Sequence, residues 1–207
     1  MSSAAVLISI RPKWCELIAN GQKTVEIRKT HPRLRPPFKC YIYETQGKKS
    51  VKWLDGTSVY RGVSKVIGEF VCDKIFRVDL ENAANLSDAV DGSEVDLFLD
   101  AVCLSAYELL DYLSAGEKSP REYVTGYGWH IQSLKIYDQP KKLSEFYRWY
   151  EGGNDIRPCE NGKPCKHLFY DYTEDCEACA IDFDGTDCPY LKVQRPPQNW
   201  CYVEEHT

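Results

Sequence analysis

Residues 21–28, Gly-Gln-Lys-Thr-Val-Glu-Ile-Arg, constrain this chain more than any other stretch. Just upstream, Trp14, Leu17, Ile18 and Gly21 fall at i, i+3, i+4 and i+7, the spacing of one apolar helical face. Pro12 suits the first turn of that helix, where its missing N–H has no partner to lose. Asn20-Gly21 is a stop signal, because glycine accepts the left-handed conformation that ends many helices. From Thr24 the pattern switches to alternation, the period of a strand. Val25 and Ile27 should therefore face a core, and Thr24, Glu26 and Arg28 the opposite side. Lys23 stands beside them at the turn. A lysine, a glutamate and an arginine thus converge on one small patch.

Such a patch has two chemical uses. Arg28 offers a planar fork that fits phosphate or carboxylate. Glu26 can orient Lys23 or accept protons from a base edge. Lys23 becomes a general base only if desolvation outweighs the opposing pull of Glu26, which favours the charged amine. The plain alternative is an exposed strand with i, i+2 charge pairing. Arg11 and Lys13 flank the helix and are candidates for phosphate contacts. Residues 129–137 alternate as a strand, and Trp129 is a candidate for stacking on a base. Trp129 and His130 must point to opposite faces, and His130 reads as a structural residue.

Charge is unevenly spread. Residues 1–65 carry 13 Lys and Arg against 4 Asp and Glu, whereas residues 66–207 carry 13 against 27. A basic third on an acidic chain suits an anionic ligand, unless the two parts simply pair with each other. No apolar run approaches the length that crosses a bilayer. Residues 4–10 are too short for a signal-peptide core and run into Arg11 and Lys13. The expected location is the cytoplasm.

Strands are expected at 6–10, 38–44 and 200–203, and over 63–78 as one bent strand or a pair. Residues 31–37 hold three prolines and read as a loop. Ser105-Ala-Tyr-Glu108 is a capping box that opens a helix over 105–115. Residues 151–190 are Cys-rich, Gly-rich and acidic, with too few aliphatic side chains to bury a core. Three parts are therefore expected: a core domain over 1–150, an acidic insertion over 151–190, and 191–207 returning a last strand to the core. The architecture expected is α+β, a small, partly open β-barrel with flanking helices.

Gly21-x-Lys23-x-x-Glu26-x-Arg28 resembles the GxKxxExR signature of the ASCH domain, a relative of the PUA RNA-binding fold. Residues 9–14, Ser-Ile-Arg-Pro-Lys-Trp, are similar to the family's opening, and residues 128–138 to its late barrel strand. The length and the Cys-rich addition resemble a version found in prophages. The resemblance implies a PUA-like barrel and a cleft beside the motif that takes RNA or a modified nucleoside. It also implies a second reading, a ribonuclease or nucleoside amidohydrolase using Lys23 and Glu26. One amidohydrolase branch uses a Thr three residues after its Lys. This chain has Glu26 there, and Thr24 stands at a different spacing, so that mechanism does not carry over. A third reading makes 151–190 a docking segment for a protein partner.

Five of the ten cysteines fall within 159–188. Cys176-x2-Cys179 is a knuckle, and Cys159 and Cys165 complete a four-thiolate set for a structural zinc. Cys188 or His167 can replace one of them, and disulfides or free thiols are the alternatives. A metal would hold together a segment that lacks a core. Cys15, Cys40, Cys72, Cys103 and Cys201 are scattered and read as buried residues. There is no Walker loop, no dinucleotide fingerprint and no nucleophilic triad in the sequence.

Overall fold

The computed structural model describes residues 3–46, 51–52, 59–60, 62–81, 92–115, 123–149, 158–159, 163–164 and 192–205. Strand β1 (Ala4–Ile10) is followed by helix α1 (Pro12–Ala19), β2 (Val25–Arg28) and β3 (Phe38–Glu44). The two-residue strands β4 (Val51–Lys52) and β5 (Val59–Tyr60) pair with each other. Then come β6 (Lys65–Cys72), β7 (Ile75–Glu81), α2 (Gly92–Val102), α3 (Ala106–Ser114), β8 (Tyr123–His130) and β9 (Gln132–Lys141). A second two-residue pair, β10 (Pro158–Cys159) with β11 (Lys163–Pro164), precedes β12 (Trp200–Glu204).

The main sheet has five strands in the order β12-β1-β3-β6-β9. β1 lies near its middle and is buried along almost its whole length, which accounts for its unbroken run Ala-Val-Leu-Ile. One face of the sheet carries Val6, Ile8 and Ile10, packed with Cys15 and Ile18 of α1 and with Trp129. The other face carries Ala5, Leu7, Tyr41 and Val66 under Phe146 and Val193. β1 and β3 run parallel. Parallel neighbours need a long crossover, and here the crossover contains α1 and β2.

β2 leaves the main sheet and joins a second one, ordered β2-β8-β7. Val25 and Ile27 pack there against Val102 of α2 and Leu109 and Leu113 of α3. α3 opens with the expected capping box: Ser105 accepts from the Glu108 N–H, and the Glu108 carboxylate accepts from the Ser105 N–H at 2.9 Å. α3 sits close to β8 because residue 126 is glycine. A Cβ there would come within 2.6 Å of Leu113.

The α+β class holds, with three α-helices among the described residues, but the expected barrel does not close. The stretch expected as one late strand is two. β8 ends at His130, β9 begins at Gln132, and Ser133 has a φ of 50°. β8 pairs with β2 and β7, whereas β9 pairs with β6. The region 63–78 divides in the same way, with β6 in one sheet and β7 in the other. The chain thus changes sheets twice at tight bends, so the strands form two separate sheets. β12 returns to pair with β1 in antiparallel register. No helix among the described residues is long and apolar enough to cross a membrane.

Candidate functional site

β2 sits between two environments. Its odd-numbered side chains face α2 and α3, and its even-numbered ones face the main sheet and α1. α1 ends as expected: Gly21 has a φ of 72°, and the N–H groups of Gln22 and Lys23 both bond to the Leu17 carbonyl. That turn delivers Lys23 next to the polar face of β2. Lys23, Glu26 and Arg28 converge there, and all three are buried, at 3%, 6% and 8% exposure. The expected patch is therefore interior rather than open.

Glu26 holds the group together. Its Oε1 lies 3.0 Å from Nη2 of Arg28, and its Oε2 lies 3.6 Å from Nζ of Lys23. The second distance is a charge contact rather than a hydrogen bond. Lys23 donates instead to the Val102 carbonyl at the end of α2, at 2.7 Å. Arg28 donates from Nη2 to the Ser9 carbonyl at 2.6 Å and from Nη1 to Oδ1 of Asn199 at 2.8 Å. Its Nε finds no acceptor among the described residues. Two cations against one carboxylate leave the trio net positive.

Burial lowers the Lys23 pKa below its ordinary value of 10.5, and the opposing attraction of Glu26 does not cancel that effect. Folding therefore favours the neutral amine. On this account, Lys23 makes stability rise with pH up to 10.5, where the unfolded chain also gives up its proton. Cys15 is packed nearby. Burial, then Glu44 and Glu26, hold its thiol protonated, while Arg28 pulls the other way.

Arg11 and Lys13 are exposed at the start of α1. The Lys13 ammonium lies 4.4 Å from the ring centre of Trp14, and that of Lys23 lies 5.2 Å from it. α1 thus lies beside the buried trio, with Arg11 and Lys13 exposed at its start. Trp129, a candidate for base stacking, is fully buried. Its register places it opposite Glu26, so it points inward, with Phe38 and Trp200 6.1 Å away. His130 points the other way and is held through Nδ1 by Asp73 at 2.6 Å.

Sequence reading missed three contributors. α2, whose last carbonyl receives Lys23, carries Val95, Phe98, Leu99 and Val102 at i, i+3, i+4 and i+7, a signal present in the chain. Ser9 and Asn199 reach Arg28 through long-range contacts, Asn199 from 171 positions away, and no local pattern marks them. Of the proposed zinc ligands, Cys165, Cys176 and Cys179 lie outside the described residues, as do Cys188 and His167. Cys159 lies in β10, with nothing described of its side chain. Among the described residues no cluster of His, Cys, Asp or Glu suits a metal ion.

Removing the charge of Glu26 would leave two cations facing each other in the interior. Glu26→Gln is expected to lower unfolding stability by about 3–5 kcal/mol, measured by urea denaturation at neutral pH. An unchanged midpoint would mean that the carboxylate does not hold the pair.

No curated protein matches the sequence. Three solved structures from Zymomonas mobilis resemble the chain. ASCH is 20% identical, with a TM-score of 0.44 over 67% of this chain and 73% of that one. One mutant form of that ASCH protein is 20% identical, with a TM-score of 0.42 over 67% and 76%. A second mutant form is 21% identical, with a TM-score of 0.42 over 67% and 74%. The ASCH domain model matches residues 8–83, a stretch that runs from β1 past β7 and includes the whole Lys23–Glu26–Arg28 group. Residues 8–83 are thus similar to the ASCH domain, and the charged motif on β2 lies within that stretch.

Proposed function

We propose that this domain is a cytoplasmic RNA- or modified-nucleotide-binding module whose ligand enters beside α1, over the Lys23–Glu26–Arg28 group. The observation that carries this reading is a buried trio of two cations and one carboxylate beside a helix at whose start Arg11 and Lys13 are exposed. Burying charge is costly, and strongly perturbed ionisable groups cluster at functional sites. A phosphate near Arg11 and Lys13 would lower the potential at the rim. The resemblance of the motif to the ASCH signature supports the same ligand class.

The test is the salt dependence of affinity for a fluorescent single-stranded RNA. Each phosphate contact to a single strand contributes roughly −0.7 to the slope of log affinity against log salt. Replacing Arg11 and Lys13 together with Gln should make that slope shallower by about 1.4. Affinity that is flat with salt in the parent protein would contradict the proposal.

A second reading rests on a separate observation, the depressed pKa of Lys23. A lysine with an accessible neutral form can serve as a general base on an ester or amide of a bound nucleoside. In this reading Glu26 orients Lys23, and Arg28 holds the anionic part of the substrate. Purified protein would then turn over RNA or an acylated cytidine, and Lys23→Met would abolish turnover while keeping the far-ultraviolet circular dichroism. Turnover that survives this change would remove Lys23 from the chemistry.

A further inference from the structure

Strand β7 is the outer strand of the second sheet among the described residues, bonded to β8 on one side only. The His130 N–H donates to the Lys74 carbonyl at 3.0 Å, and these two residues stand opposite each other in the continued β7–β8 register. In an antiparallel pair the residues that exchange hydrogen bonds recur at every second position. Phe76, Val78 and Leu80 therefore bond to β8. The N–H and C=O groups of Ile75, Arg77 and Asp79 point the other way, to the free edge.

Such an edge accepts another strand unless something blocks it. The outer strand β9 of the five-stranded sheet is blocked, because it holds Pro140 and its register with β6 shifts twice. β7 contains no proline, and its register with β8 is unbroken from Ile75 to Glu81. Arg77 and Asp79 project from one face of β7, with side chains 66% and 46% exposed and 2.9 Å apart. Phe76, Val78 and Leu80 lie on the other face, partly buried against α2 and α3.

Residues 76–80, Phe-Arg-Val-Asp-Leu, are thus complementary to themselves when run antiparallel. We propose that the β7 edge pairs with the same edge of a second copy, joining two three-stranded sheets into one across a two-fold axis at Val78. Charge selects that register. Hydrogen bonds across the free edge must join odd-numbered positions, which permits axes at Arg77, Val78 or Asp79. An axis at Arg77 sets two guanidinium groups opposite each other, and one at Asp79 sets two carboxylates opposite each other. Like charges in that position destabilise a strand pair. The axis at Val78 sets Arg77 opposite the second copy's Asp79, and symmetry repeats that pair. It also sets Phe76 opposite the second copy's Leu80 on the helix side, and unlike-charge and apolar pairs of this kind stabilise a sheet.

One strand from each copy is a small contact beside a standard interface, so the dimer exchanges with monomer and the weight-average mass rises with concentration. Sedimentation equilibrium of the full chain reads this directly. Arg77→Asp and Asp79→Arg each set like charges opposite each other, and each variant is expected to associate about 10-fold more weakly than the parent. Mixed in equal amounts, the two variants should return to near the parent's association, because the aspartates of one then face the arginines of the other. Both substitutions in one chain should also restore it. The mixture separates pairing between copies from the Arg77–Asp79 contact within a copy, since neither variant in it keeps the inner contact. A parent that sediments as a monomer at every concentration overturns the proposal. So does a dimer that both single variants form as well as the parent, or a mixture that stays as weak as its components.

Discussion

One carboxylate organises the interior of this domain. Glu26 stands between Lys23 and Arg28 in a space closed to solvent, and each of the three depends on the others. Without Glu26, two cations would face each other in a medium of low polarity. Without the cations, Glu26 would be an unpaired buried charge. The hydrogen bonds of the trio reach well beyond β2. Lys23 ties the strand to the end of α2, and Arg28 ties it to β1 through Ser9 and to the segment before β12 through Asn199. The charge cluster therefore also fastens the two sheets to each other.

Much of this was legible locally. The switch from helical spacing to strand alternation at Gly21 located α1, the turn and β2, because each rests on neighbouring residues alone. The capping box at Ser105 located α3 for the same reason. The convergence of Lys23, Glu26 and Arg28 followed from strand parity. What parity does not supply is depth. A strand with one polar face ordinarily turns that face to water, and here it turns inward, because the five-stranded sheet and α1 lie over it. Trp129 was misread for a related reason. Alternation gives two faces without saying which is outside, and its register opposite Glu26 places it in the core.

The barrel expectation failed at bends that carry no strong sequence signal. The step from β8 to β9 occurs at Ile131, with a positive φ at Ser133 and no glycine or proline to announce it. The step from β6 to β7 occurs at Asp73 and Lys74, neither of them a glycine or a proline. Each bend moves the chain from one sheet to the other, and together they replace a closed ring by two layers. The partners of Arg28 were beyond local reading as well, since Ser9 offers a backbone carbonyl and Asn199 comes from the far end of the chain.

The description of the buried cluster turns on the state of Lys23. Burial and a paired carboxylate push its pKa in opposite directions, and burial is the larger effect. The most direct measurement is the titration of the Lys23 side chain by carbon-detected nuclear magnetic resonance on selectively labelled protein, with Lys23→Arg used for assignment. A midpoint below 10.5 is predicted. A midpoint at or above that value would mean that solvation or the attraction of Glu26 outweighs burial, and would contradict this account of Lys23.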